Sequence, residues 1–434
     1  MTQKITDDLD NDIYSVQSVK RFYFLDYFFI LLDSINRHHK SSDAFLSFLE
    51  LKKRYRLGES KYKKLTVEKE DFTDKKISRY LYTFGQVIDE AIEYGLVQEK
   101  EDVFHLTQKG TELLGIHEDK GALSFNEYLC RLMEAKYGAF RYVISKLYTA
   151  NKKTPGLLIL PSYSAMDLGR RSRLHRCSDD IYDYSLALVD RLKKDINEYI
   201  GEKRGLEQEN EKIFKRLIRV GLLPEDGKGR FDPSKYNVIS KRFRDFWMTY
   251  FLKEIYGYKY SISSFDIWTY RGKQIGIIHA TEFHPYFDGK IVYPLSVVVK
   301  GTQSQDFTEL FSYGDGFKLY VHRPRWEEKE NQERFVDCLA KAYFDVRRRS
   351  RSYFVNLLAI REIVCSSMKI SEGLFEDFLN TTYKLNLAGK LKIRISLEVD
   401  KLPEETGVIY LRQEPIMVDK KYRNIIAIDV SKGE

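Results

Sequence analysis

Three stretches near the start of the chain carry apolar side chains at helical spacing: residues 15–37, Ala44 to Tyr55, and Asp74 to Gly95. Apolar positions three and four residues apart form one stripe on a helix, so each stretch predicts an amphipathic helix packed on a core. In the third, Ile77, Leu81, Phe84, Val87, Ile88 and Ile92 share a side, and Gly95 stands where a helix end favours glycine. That stretch predicts one long helix or two short ones. The period then shortens: Leu96 to Gln98 and Val103 to Leu106 read as strands around the charged turn EKED, a small hairpin. Thr107 is placed to cap a helix that Gln108 to Leu114 continues.

From about residue 120 to 235 the pattern predicts charged helices with a loop-rich break at TPGLLILPSYSAMDLG. Residues 236 to 325 change character. SISSFDIWTY, QIGIIHATEFH, IVYPLSVVVKG and FKLYVHRPRW are rich in β-branched and aromatic residues, with RGK, FDG and GDG as turns, and predict a small antiparallel sheet. The remainder returns to helix through NQERFVDCLAKAYFDVRRRSRSYFVNLLAIREIVC and SEGLFEDFLNTTYKLNLAG, then ends in the strand-like IRISLE, GVIYLRQEP and NIIAIDV. Absence of a fixed-period repeat or a low-complexity tract argues against solenoids and disordered tails.

Three helices followed by a two-stranded hairpin, with the run GLVQEKEDVFHLTQKGTELL, resemble the winged-helix (winged helix-turn-helix) superfamily, whose domains close on helix, Gly-Leu, strand, turn, strand, Leu-Thr and Gly. The resemblance covers roughly the first quarter of the chain. The C-terminal order of helix, helix and strands resembles a second copy. Its candidate wing is Val408 to Leu411 with Asn424 to Ile428, and the Pro-containing VDKLPEET occupies the recognition-helix slot. In DNA-reading members the helix before the hairpin lies in the major groove and the wing reaches phosphates. By that likeness Lys75, Lys76, Arg79, Tyr80 and Tyr82 are expected at DNA, and Gln86 within reach of a base edge. Asp89, Glu90 and Glu93 are unsuited to that role. The EKED turn sets three acids against one lysine, so this wing is expected to avoid phosphates, and protein contact through the winged helix is the competing expectation.

Composition narrows the class. At 434 residues the chain is long enough for about two to four domains. With 43% hydrophobic, 14% aromatic and 31% charged residues it is expected to fold along most of its length. The opening MTQKITDDLDNDIYSVQ has no basic region before an apolar core, and FYFLDYFFILL is interrupted by Asp26 and too short to span a bilayer, so a cytoplasmic, membrane-free protein is expected. Cys130, Cys177, Cys338 and Cys365 lie far apart and read as isolated thiols. A net charge of +8 from 72 Lys and Arg against 64 Asp and Glu permits phosphate contact without demanding it. The clusters that matter are GRRSRLHR, with Arg170, Arg171, Arg173 and Arg176, and VRRRSRSYF, with Arg347, Arg348, Arg349 and Arg351 beside Tyr353 and Phe354. Either is compatible with phosphate binding or with a solvated helix face.

One constellation could carry catalysis. In FDIWTYRGKQIGIIHATEFH, Asp266 opens a predicted strand, Glu282 closes the next, and alternation puts His284 on the Glu282 face, with Glu254 upstream. Paired carboxylates can hold a divalent cation that activates water on a phosphodiester. The stretch resembles the hairpin of PD-(D/E)xK nucleases. His284 stands where that family has lysine, and no proline precedes Asp266. A plain β-hairpin is the alternative. His279 and His284 face opposite ways on a regular strand, and no nucleophile elbow or phosphate loop is present.

The expectation is therefore an α+β multidomain protein: a winged helix over 1–118, a helical connecting domain over 119–235, a β-rich domain over 236–330 and a helical, winged-helix-like domain over 331–434. Its expected role is non-catalytic association with double-stranded DNA as a subunit of a bacterial or archaeal multi-protein machine, such as a genome-defence or mobile-element system. A kleisin-like adaptor is one alternative. A metal-dependent nuclease is the other, and only that reading calls for Mg²⁺ or Mn²⁺; otherwise neither metal nor cofactor is expected.

Overall fold

The computed structural model describes residues 20–59, 63–64, 72–101, 103–145, 158–161, 256–286, 289–312, 314–400 and 415–430, together with Met248 and Leu252. Helices and small antiparallel sheets alternate along it, an α+β architecture. The chain groups into two compact units. One comprises Lys20–Lys136, Tyr270–His279 and Pro294–Glu434, the other Met1–Val19, Tyr137–Thr269 and Ala280–Tyr293. Among the described residues no helix is long and apolar enough to cross a membrane.

The larger unit begins with α1 (Asp26–Arg37), α2 (Ser41–Tyr55) and α3 (Asp74–Glu93). The stretch FYFLDYFFILL becomes the core of this group: α1 is apolar nearly all round, and it packs against α2, α3, the following helix and the hairpin. Phe28, Leu31, Leu32, Phe48 and Val87 are fully buried there. Thr73 caps α3 by accepting from the Lys76 amide, and Gly95, at φ 68°, stops it, so the predicted region is one helix.

The hairpin follows as β1 (Val97–Lys100) and β2 (Val103–Leu106), in register from Val97 against Leu106 to Lys100 against Val103. The strands run into EKED further than alternation predicts. Thr107 donates to the Gly95 carbonyl at 2.7 Å and accepts from the Gly110 amide, which starts α4 (Gln108–Lys136) tight against the hairpin. A Cβ on Gly110 would lie 2.1 Å from the Leu96 carbonyl oxygen, so only glycine fits. Gly121, at φ 81°, kinks α4 where the sequence places a break between two helices.

The principal correction concerns SISSFDIWTYRGKQI. Read as a strand and a turn, it forms α6 (Ile262–Ile275), preceded by α5 (Gly138–Ser145). Ile262, Phe265, Trp268 and Ile275 are buried at helical spacing, and the chain stops at Gly276, φ 82°, beyond the RGK expected to turn. In the smaller unit Trp268 packs between Tyr137 and Phe140, and Tyr258 against Tyr142, Tyr260 and Phe265. The TPGLLILP stretch, read as loop, contains the strand β3 (Leu158–Pro161). It joins β5 (Gly289–Pro294) and β4 (Ile278–Thr281) in the order β3-β5-β4.

The single predicted sheet is thus two. The second, in the larger unit, has β6 (Ser296–Lys300), β8 (Phe317–His322) and β7 (Phe307–Ser312) in that order, all antiparallel. Then come α7 (Lys329–Ser350), the two-residue strand β9 (Val355–Asn356), α8 (Leu357–Met368) and α9 (Glu372–Leu387). Asn356 caps α8 and Ser371 caps α9. The strands β10 (Ile393–Glu398), β11 (Ile416–Val418), β12 (Lys421–Arg423) and β13 (Ile425–Val430) close the chain. Among the described residues β13 sits between β10 and β9, and β11 pairs with β12 in a tight hairpin across Asp419 and Lys420; the expected pairing of Asn424 to Ile428 with Val408 to Leu411 falls partly outside them. Val408 to Leu411 lies outside the described residues, as do Arg170, Arg171, Arg173, Arg176, Cys177 and Glu254.

Candidate nucleic-acid interface

The front of α3, the end of α2 and the segment ahead of α1 enclose a cleft of about 450 Å³. Helix α2 ends on Lys52, Lys53 and Arg54, cations that suit the negative end of a helix dipole. Its basic end therefore meets Lys76 and Arg79 on α3, with Arg21 and Lys63 at the margins. Of the described lining residues seven are Lys or Arg and one, Glu59, is acidic. Glu59 is itself held by Arg56, whose Nε donates to Oε2 at 2.7 Å. Aromatic rings complete the walls: Tyr23, Phe72, Tyr80 and Tyr82.

Lys52 forms the floor. Only 3% exposed, it donates through Nζ to the Leu57 carbonyl at 2.5 Å, and lies 4.4 Å from the Tyr80 ring centre and 5.3 Å from that of Tyr27. Burial lowers its pKa to about 8, so at neutral pH it remains largely charged. Burial also raises the Tyr80 hydroxyl above its ordinary value.

The wall at residues 21–25 is fixed from two sides. Gln86 Oε1 accepts from the Arg21 amide at 3.2 Å, so Gln86 serves this wall and does not line the cleft. Gln274 on α6 accepts from the Leu25 amide and donates to the Tyr23 carbonyl, and Arg271 donates to the Phe22 carbonyl. The acids of α3 that look unsuited to phosphate are occupied elsewhere. Lys20 Nζ pairs with Asp89 at 3.0 Å and Glu93 at 3.5 Å. Glu90 is buried and receives both Arg271 terminal nitrogens, at 2.6 and 2.9 Å, together with the Tyr94 hydroxyl.

The acidic hairpin turns back on its own unit. The Phe104 amide donates to the His39 carbonyl at 2.8 Å and Val103 bridges Lys40, so this edge of β2 is covered. Lys75 is exposed at the head of α3 but does not line the cleft.

A second basic feature lies at the end of α7, where Arg347, Arg348 and Arg351 border a shallow hollow of about 470 Å³ with Phe344 and Tyr353. Arg347 lies 5.1 Å from the Tyr353 ring centre, Arg349 pairs with Asp345 at 3.6 Å, and the Tyr353 hydroxyl donates to Asp429.

The nuclease constellation is not assembled as expected. Asp266 lies on a helix rather than opening a strand, and its Oδ1 accepts from Lys290 at 2.6 Å. Glu282 follows the end of β4, and His284 is buried and accepts from the Tyr286 amide. Among the described residues the group with metal-ligand spacing is a different one, His279, Glu362 and Glu372. Its donors are already committed to protein cations: Arg361 reaches Glu362 at 2.9 Å and Glu372 at 3.1 Å, and Lys273 reaches Glu372 at 2.7 Å. With His279 Nε2 2.7 Å from Glu362, this is a buried ion network.

Sequence reasoning brought Lys76, Arg79, Tyr80 and Tyr82 to the site and missed Arg21, Lys52, Lys53, Arg56 and Lys63. The basic, tyrosine-flanked runs LKKRYR and SKYKK carried the signal. No protein-family model, curated protein or solved structure matches the chain, so its assignment rests on this geometry.

Proposed function

We propose that the protein is a non-catalytic, DNA-associated protein whose first three helices and hairpin form a winged helix, acting as a subunit of a prokaryotic multi-protein machine such as a genome-defence or mobile-element system. The observation that supports DNA contact is the cleft itself: among its described lining residues seven cations to one paired acid, interleaved with aromatic rings, beside the helix that precedes the hairpin. Cations of this density release counterions from a phosphate backbone, and rings offer stacking surfaces to bases. The acidic hairpin does not line the cleft and takes no part in this grip, which is carried by α3, α2 and the segment at 21–24.

The test is fluorescence anisotropy of labelled DNA across a salt series in EDTA. Log affinity is expected to fall linearly with log salt, at about 0.9 per phosphate contact on duplex and about 0.7 on single strands. Lys76→Glu combined with Arg79→Glu is expected to weaken binding at least about 10-fold and flatten the slope by about two contacts. Binding that ignores salt, or that survives the double charge reversal unchanged, would sink the reading. No DNA binding at low salt would turn the cleft into a protein-contact surface.

A further inference from the structure

We propose that the cleft takes unpaired nucleotides, a single strand or frayed end, rather than the major groove of an intact duplex. This deepens the DNA reading above and rests on it. A helix that reads a major groove must enter a channel about 12 Å wide, with its basic side chains projecting from a convex face. Here the helix front does the opposite. Lys76, Arg79 and Tyr80 of α3 turn into a concavity whose other walls are the end of α2 and the segment at 21–24.

The size of the hollow agrees. About 450 Å³ falls in the range of roughly 300–1,000 Å³ for sites that enclose small molecules, room for a base and its neighbouring phosphates but not for a double helix. The chemistry is that of strand recognition. Tyr82, 55% exposed, offers ring surface on which a splayed base can stack without regard to sequence, and Tyr23, 40% exposed and packed edge-on with Tyr270, lines the same hollow. Lys53, Lys76 and Arg79 line the same hollow as point or planar cations for the backbone, and Lys52 gives the floor a charged amine already shed of water.

Three probes separate the possibilities: a fluorescein-labelled oligothymidine of about eight nucleotides, the matching oligouridine, and a blunt duplex of about sixteen base pairs. The oligothymidine is expected to bind the full chain at least about 10-fold more tightly than the blunt duplex. Tyr82→Ala is expected to weaken strand binding about 5- to 20-fold with little effect on duplex, and Tyr82→Phe, which keeps the ring, to restore it. Tyr82 is exposed, so its truncation leaves the core intact. Tighter binding of the oligouridine, with the same Tyr82 dependence, supports the unpaired-nucleotide site and names RNA as its source. Duplex preferred over strand overturns this inference and leaves DNA association standing. Binding of no nucleic acid overturns both. Strand binding that ignores Tyr82→Ala and Arg79→Ala, yet fails in Arg347→Ala with Arg348→Ala, places the strand at α7 and overturns the assignment to the cleft.

Discussion

An ammonium group at the floor of a closed cleft loses most of its hydration. Lys52 recovers part of it from the Leu57 carbonyl and from the faces of Tyr27 and Tyr80. Burial is the largest influence on its proton; Glu59 opposes it, and Arg79 and Lys64 add to it, leaving a pKa of about 8 against an ordinary 10.5. Because the folded value lies below the unfolded one, the unfolded chain binds more protons between them. The penalty is fully present below pH 8 and fades as pH rises towards 10.5. A difference of this size corresponds to at most about 3 kcal/mol. Lys52→Met, which keeps the stem and removes the charge, forfeits one hydrogen bond worth about 1 kcal/mol, so a net gain of roughly 1–2 kcal/mol is expected at pH 7. Urea unfolding at pH 7 and pH 10 checks it: the gain should shrink at the higher pH, while nucleic-acid affinity falls at both. A loss of stability equal at both pH values would show that the amine holds the cleft together rather than straining it.

At the scale of elements, the end of α6 and the start of β4 connect stretches far apart in sequence. Arg271 and Gln274 hold the cleft wall, while Lys273 reaches Glu372 at the head of α9 and His279 reaches Glu362 on α8. Burial alone would raise both carboxyls. It is the largest single influence at each, but Arg361 together with His279 and Lys273 outweighs it, so both lie below the usual carboxylate range. Depressed acids stabilise above their unfolded value near 4.5, and that contribution is lost as pH falls through the lower folded values. Unfolding free energy is therefore expected to drop from about pH 4.5 downward. Glu372→Gln should cost roughly 3 kcal/mol at pH 7 and flatten part of the drop, as read by denaturant melts from pH 7 to pH 3. Unchanged acid sensitivity in that variant would remove the network from the account. None of this was legible in the sequence. Helices α2, α3, α7 and α9 and the hairpin announced themselves because each keeps one wet face, which gives the pattern a period, and because Gly95, Thr107 and Gly389 mark ends. Helix α6 is buried on most sides, so its apolar positions have no polar contrast to set a period, and its Ile, Phe, Trp and Tyr read as strand. The cleft was half legible for a related reason: α3 showed its cations, but no local pattern says that LKKRYR folds against them.

The larger unit as a whole is closed by a ten-residue segment, Tyr270–His279, borrowed from the middle of the chain. Residues Lys20–Lys136 contain the first four helices and the hairpin, yet the cationic partner of Glu90 is Arg271. In the full chain both side chains are at most 1% exposed, with the guanidinium over Phe22 as well. A fragment of residues 20–136 keeps the Glu90 carboxylate with its Tyr94 partner and loses the cation. Leaving one partner of a buried pair alone costs about 3–5 kcal/mol, a large share of the roughly 5–15 kcal/mol that holds a whole domain. The wall at 22–25 loses Gln274 at the same time. The isolated fragment is therefore expected to lack a cooperative thermal transition by circular dichroism, despite containing the complete helical pattern. The substitution Glu90→Gln gives the sharper result, because its sign should reverse with context. In the fragment it removes an orphaned charge while keeping an oxygen for the Tyr94 hydroxyl, so a transition should return or sharpen. In the full chain it takes the carboxylate charge from beside the buried Arg271, and the melting temperature should fall. If the fragment melts cooperatively and Glu90→Gln lowers its stability as it does that of the whole protein, the module is autonomous and the borrowed segment merely decorates it.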